Sequence, residues 1–200
     1  THLDMYALED LGVLKIDLLA LRTLTLLQRM EMRVRERDKS FSLVEIPRDD
    51  PDTFALLAKG KSLGIFQLES DLFEELLLKL KPRSLNDLAA LLALGRPGPL
   101  SMFSEFVARR ENPSKIQYLH PALEDILGET YGLILYQEQV MLIANRLGGL
   151  SLGEADLLRS ALGKDDPDAV QTWRGRFLEE AKKSGLSSTT AKRVFAMIAE

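Results

Sequence analysis

A succession of capped amphipathic stretches, with hardly a strand pattern among them, most narrows the folds open to this chain. From residue 50 onward apolar residues recur at spacings of three and four, which places them on one face of a helix. The stretches open on Asp50-Pro51, Ser84-Leu85-Asn86-Asp87, Ser151-Leu152-Gly153-Glu154 and Asp166-Pro167. A side-chain oxygen at such a position accepts an otherwise orphaned amide of the first turn, and a proline just inside it has no amide to orphan. The spacing predicts helices over 50–59, 69–81, 84–95, 102–110, 121–127, 136–147, 152–163, 167–183 and 187–200. Short extended pieces are expected only at 63–67 and 133–135. No tandem repeat and no low-complexity tract interrupts the pattern.

The first 50 residues read differently. A short helix over 4–10 closes at Gly12, and Val13-Leu14-Lys15-Ile16-Asp17-Leu18 alternates as a strand does. Leu14, Ile16 and Leu18 then share one face, with Lys15 and Asp17 on the other. A longer helix follows over 21–38, apolar at Leu24, Leu27, Met30 and Val34, with Arg29, Arg33, Arg35 and Arg37 in its second half as a solvated face. A polar stretch over 40–50 suggests a boundary. The expected class is mainly α, with a helical body attached to the end of something that contains a sheet.

Composition removes several kinds of chemistry. The 200 residues hold no cysteine, which excludes disulfides, iron–sulfur clusters, thiolate zinc and a cysteine nucleophile. Two histidines, His2 and His120, are too few for a multi-histidine metal site. A net charge of -4 argues mildly against a protein that coats nucleic acid, although a cleft can be locally positive on an acidic chain. No apolar run approaches the ~18 residues of a membrane span. The chain opens on Thr1 with no signal peptide and reads as a segment of a longer cytosolic polypeptide.

Candidate chemistry gathers in four places. Asp17 is a carboxylate on an otherwise apolar strand; on a cleft face it suits Mg²⁺, and on an edge strand it serves solubility. The segments Gly64-Ile65-Phe66-Gln67-Leu68-Glu69-Ser70, Leu94-Gly95-Arg96-Pro97-Gly98-Pro99-Leu100 and Tyr131-Gly132-Leu133-Ile134-Leu135-Tyr136-Gln137-Glu138-Gln139-Val140-Met141 hold glycines and polar residues beside apolar runs. Taken singly they are a turn, a helix end and a strand-to-helix junction. Taken together, Gln67, Glu69, Arg96, Gln137, Glu138 and Gln139 are candidates to line a groove. His120, Trp173 and the methionines read as structural.

Six motifs stand in one order: Lys15-Ile16-Asp17-Leu18-Leu19, Leu21-Arg22-Thr23-Leu24-Thr25, Phe66-Gln67-Leu68-Glu69-Ser70, Arg96-Pro97-Gly98-Pro99-Leu100, Tyr136-Gln137-Glu138-Gln139-Val140-Met141 and Leu152-Gly153-Glu154-Ala155-Asp156-Leu157-Leu158-Arg159. In order and spacing they closely resemble the DnaE-type alpha subunit of bacterial DNA polymerase III, over essentially the whole chain. The resemblance implies an α-rich polymerase fingers domain over 39–200, with a short α/β palm remnant over 1–38. It implies that Asp17 is one of three aspartates holding two Mg²⁺ ions, the other two lying outside this segment. Lys15, Arg96, Arg159 and Lys164 become candidates for nucleotide and phosphate contacts.

Four departures from the family's pattern stand out. Ser160 replaces a second consecutive arginine, Asp165 and Asp166 replace lysines, Ala20 replaces a glycine, and Gly95 replaces an aromatic before Arg-Pro-Gly-Pro. Losing a guanidinium and gaining carboxylates near a polyanion should weaken triphosphate binding. The expected function is template-directed addition of deoxynucleotides to a primer 3′-hydroxyl, within a longer chain, in the bacterial cytoplasm at the nucleoid. Primer–template DNA and deoxynucleoside triphosphates are the expected partners, with a sliding clamp and a proofreading exonuclease reached through other regions and no membrane. The segment by itself should be inactive. Two alternatives stay open: an error-prone polymerase of the same class, and a non-catalytic helical scaffold or nucleic-acid-binding module.

Overall fold

The computed structural model describes residues 2–14, 16–164 and 166–199, and of Lys115 the backbone alone. It divides into two compact units, Thr1–Pro47 and Arg48–Glu200.

The first unit carries α1 (Met5–Asp10), whose N-cap Asp4 accepts the amide of Ala7 at 3.0 Å, and α2 (Arg22–Arg35). Arg33 and Arg35 lie in the last turn of α2, where a positive charge meets the negative end of the helix. Arg35 also pairs with Glu31 one turn back and donates through Nε to the carbonyl of Phe41 at 2.7 Å. The amide of Leu43 reaches Glu31 at 3.4 Å, so the stretch after α2 folds back onto that helix.

No described residue of this unit is buried, and Leu14, Ile16 and Leu18 are 81%, 71% and 93% exposed. The strand expected over 13–18 is not formed: among the described residues this segment has no regular structure. Alternation chooses which face a strand would bury. It cannot supply the neighbour that pairs with its amides and carbonyls, and no described segment does so.

The second unit holds two helical cores. Around the first pack α3 (Pro51–Leu57), α4 (Asp71–Leu80), α5 (Leu85–Leu94) and α6 (Phe103–Glu111), with Leu77, Leu91, Leu94 and Phe106 at the centre. Around the second pack α7 (Ala122–Leu127), α8 (Gln137–Arg146), α9 (Leu152–Gly163), α10 (Pro167–Lys183) and α11 (Ser188–Ala199), closing on Ile143, Leu158, Phe177 and Val194. Trp173 packs against this second core, as a structural residue should.

The expected caps are in place. Asp50 accepts the amide of Thr53 at 2.8 Å, and Asp166 that of Ala169 at 3.0 Å. Ser151 and Glu154 satisfy each other's backbone amides at 2.8 and 3.4 Å. At Ser84 the residue three on is an aspartate, and it behaves differently. The carboxylate of Asp87 accepts the amide of Arg83 at 2.7 Å and the guanidinium of Arg110 at 2.8 Å. Arg110 also donates to the carbonyls of Leu80 and Lys81, so one buried ion pair ties the end of α4 and the start of α5 to α6.

The two short extended pieces are likewise not strands. Residues 63–67 form consecutive turns, with Ile65 N–H donating to the Ser62 carbonyl at 3.0 Å and Leu68 N–H to that of Ile65 at 3.0 Å. Residues 133–135 have no regular structure: the Leu133 amide goes to the Thr130 carbonyl and the Leu135 amide to a side chain. After α5, Gly95 stands where a Cβ would meet the Phe73 ring of α4 at 2.5 Å. The ring fills the space a side chain at 95 would take.

Candidate functional site

Helices α8 and α9 bring together two of the candidate residues from separate motifs. Ser151 and Glu154 start α9, and Ala155, Leu158 and Ala161 turn into the core. That phase leaves Asp156 and Arg159, three residues apart, on the outward face. The Arg159 Nε donates to Asp156 Oδ1 at 2.8 Å, and its Nη1 donates to Gln137 Oε1, at the first position of α8, at 3.2 Å. The arginine side chain is 31% exposed, so it lies against the protein with part of its fork open to solvent. Ser160 is half-buried beside it. Lys164 is exposed at the C-cap of α9, where its backbone amide closes the helix on the carbonyls of Ser160 and Ala161. A guanidinium held in one orientation is chemically suited to phosphate.

Gln139, two residues beyond Gln137, does a different job. It is only 3% exposed. Its Oε1 accepts the amides of Leu135 at 2.8 Å and Tyr136 at 3.0 Å, and its Nε2 donates to Thr130 Oγ1 at 2.8 Å and the Ile126 carbonyl at 3.3 Å. Both ends of the amide are used, so Gln139 fastens the stretch before α8 to the end of α7. Thr130, fully buried, completes the link by donating to the carbonyl of Leu133 at 2.6 Å.

Glu138 is exposed and lines a cleft of about 440 Å³ with Asp125, Ile126, Glu129 and Tyr136. Burial, and then the charge of Glu129, push the Tyr136 phenol above its ordinary range. The cleft's acidic rim makes it a poor place for a triphosphate.

The other candidates sit on the turns around the first core. Glu69 is exposed and accepts the amide of Gly64 at 2.9 Å, while Ser62 Oγ donates to the carbonyl of Leu68 at 2.6 Å. These two bonds brace a turn that displays Gln67 with φ 66°, a backbone state that costs a long side chain about 1 kcal/mol. Arg96 is exposed at the start of the Arg-Pro-Gly-Pro turn. Its carbonyl accepts the amide of Leu100 at 3.1 Å, across Gly98 at φ 90°, which only glycine adopts readily. Among the described residues no hydrogen bond or ion pair joins Gln67, Glu69 or Arg96 to the Arg159 group.

Asp17 belongs to the first unit, where it is exposed, and Lys15 lies outside the described residues. Among the described residues no group of three or more histidines, aspartates and glutamates gathers to hold a metal ion. No described helix is long and apolar enough to cross a membrane. His120, expected to be structural, accepts the amide of Ala122 through Nδ1 at 3.2 Å. Sequence reading missed Asp156 as the partner of Arg159 and Thr130 as the partner of Gln139. The first was legible in the three-residue spacing on a helix, and the second was not.

Comparison with known proteins agrees with the resemblance over most of the chain. Residues 23–185 match the model of the bacterial DNA polymerase III alpha subunit finger domain. DNA polymerase III subunit alpha of Treponema pallidum (strain Nichols) is 44% identical over 201 residues, which is 99% of this chain and 17% of that protein. The protein of the same name from Halalkalibacterium halodurans is 45% identical over 195 residues, 97% of this chain and 18% of the relative. That from Staphylococcus epidermidis is 41% identical over 199 residues, 99% and 19%. The chain thus spans less than a fifth of the length of these relatives. With its helical body and its six motifs in register, the chain belongs to the bacterial DNA polymerase III alpha subunit family and carries that family's finger domain.

Proposed function

We propose that this chain is the fingers and the end of the palm of a replicative DNA-directed DNA polymerase, in a longer polypeptide that extends a primer 3′-hydroxyl with deoxynucleotides and releases pyrophosphate. The observation that carries the reading is 44% identity across 99% of the chain to a DNA polymerase III subunit alpha. In this reading the residues over 1–38 belong to the palm and those over 39–200 to the fingers. Arg159, with Lys164 at the end of the same helix, meets the incoming triphosphate, and Arg96 and Lys15 meet phosphates elsewhere in the cleft. Base pairing selects the nucleotide, while the protein reads phosphates and shape.

Asp17 offers a hard carboxylate oxygen, the donor Mg²⁺ prefers, and it supplies one ligand of a site whose two other aspartates come from outside this segment. When bound, a pair of Mg²⁺ ions supplies activation of the primer hydroxyl and stabilisation of the leaving pyrophosphate. The fingers hold the triphosphate by cationic side chains and orient it toward that centre. Primer–template DNA, nucleotides, a sliding clamp and a proofreading exonuclease are the partners of the whole polymerase in the bacterial cytoplasm.

Two measurements test the reading. In the full-length polymerase Asp17→Asn should cut nucleotide incorporation by about three orders of magnitude while primer–template affinity, spread over many phosphate contacts, changes little. The 200-residue chain alone should extend no primer. Near-normal incorporation by the variant, or extension by the isolated chain, would refute the assignment.

A further inference from the structure

We infer that Gln137 is a positioning residue that holds Arg159 ready for an anionic ligand, an inference that rests on the proposed role of Arg159 as a triphosphate contact. A guanidinium has five N–H donors spread over three nitrogens. Here Nε is taken by Asp156 and Nη1 by Gln137, and among the described residues Nη2 has no hydrogen-bond partner. Two bonds from two different helices therefore set the plane and direction of the fork. Among the described residues one flank of the fork is thus left for a ligand.

The chemistry of the two acceptors differs in a way that matters. Asp156 is a carboxylate, and it balances part of the positive charge of Arg159. Gln137 is a neutral amide, so it fixes the fork without neutralising it, and the remaining charge stays directed at a phosphate. An arginine free to rotate would lose that freedom on binding; one already held loses less. Gln137 is itself anchored. It is the first residue of α8, and the amides just before it, on Leu135 and Tyr136, are held by the buried side chain of Gln139. The support runs from the core through Gln139 to the start of α8, then through Gln137 to Arg159. It has particular weight in this chain because Ser160 offers no second guanidinium to share the contact.

The test is a double-mutant cycle in the full-length polymerase, with single-nucleotide incorporation as the readout. Gln137→Leu removes the acceptor at an exposed position and should raise the KM for deoxynucleotides about fivefold with kcat nearly unchanged. Primer–template affinity and thermal unfolding should stay at wild-type values, which separates a positioning role from a structural one. Arg159→Ala should raise KM further, and Arg159→Ala combined with Gln137→Leu should be no worse than Arg159→Ala alone, because the tether acts only through the arginine. If the two effects multiply, or if Gln137→Leu changes nothing while Arg159→Ala does, the positioning role is wrong and the reading of Arg159 survives. If Arg159→Ala itself leaves KM unaltered, the triphosphate contact fails, and the inference falls with it.

Discussion

Replacing Gln139 by leucine should cost this chain about 2–4 kcal/mol of stability, and the structure says where the loss arises. The amides of Leu135 and Tyr136, both partly buried, end on the Oε1 of the buried Gln139 at 2.8 and 3.0 Å. A fully buried amide left without an acceptor costs about 1–3 kcal/mol; these two are partly buried, so the pair loses about 2–4 kcal/mol. The Ile126 carbonyl and the Thr130 hydroxyl lose a donor as well, although Thr130 keeps its bond to the Leu133 carbonyl. Against this, a buried leucine gains up to about 2 kcal/mol from its extra apolar surface. Urea unfolding followed by helical circular dichroism reads the difference. With a slope of about 2 kcal/mol per molar urea, the midpoint should fall by about 1–2 M. Hydrogen exchange at Leu135 and Tyr136 should accelerate by a similar free energy. Gln137→Leu, two residues away but exposed, is the control and should move the midpoint by less than about 0.3 M. If both leucine variants behave alike, the four hydrogen bonds of Gln139 do not hold this region, and the account of how α8 is anchored is wrong.

Two further outcomes follow from Ser160 and Glu154. If Ser160 leaves a triphosphate contact unfilled, as the resemblance implies, Ser160→Arg in the full-length polymerase should lower the deoxynucleotide KM about tenfold, the worth of one charge-assisted contact; an unchanged or raised KM in steady-state incorporation would mean that no contact is missing there. Hydrogen bonds from the Ser151 hydroxyl and amide, and then the charge of Arg176, hold Glu154 below the ordinary glutamate range. The folded value is the lower one, so the stabilisation is complete above the ordinary range and disappears as pH falls through it to the folded value. Urea midpoints of wild type and Glu154→Gln should therefore differ at pH 7 and converge toward pH 3. A gap that ignores pH would show that the charge of Glu154 contributes nothing to its cap.

The helical body was legible because its signals are local. A cap needs a side chain within three residues, and an apolar face needs only its own spacing, so α9 and α10 begin and end where the pattern places them. The strand over 13–18 was misread because alternation describes half of a pair. The short 3₁₀ turns at Pro99–Met102 and Gly128–Thr130 were missed for another reason: three or four residues carry no period. Within Tyr136-Gln137-Glu138-Gln139 the sequence offers three polar side chains of nearly equal length. What separates them is orientation. Gln139 turns inward to Thr130 and Ile126, whereas Gln137 and Glu138 stay outside. Choosing among them requires knowing what packs on each side of α8, and that information sits in α7 and α9.

The Phe73 ring beside Gly95 bears on which substitutions the turn after α5 can accept. The ring, borne by the neighbouring helix, occupies the volume into which a side chain at 95 would grow. The two positions constrain each other: a side chain added at 95 meets the ring at 2.5 Å unless the ring shifts, and a ring lost from 73 leaves a hole beside the turn that bears Arg96. Residues 73 and 95 therefore act as one packing unit across α4 and the end of α5. A chimaera that takes α4 and the Arg-Pro-Gly-Pro segment from different parents separates that pair. Its crossover points should keep residues 73 and 95 on the same parental side.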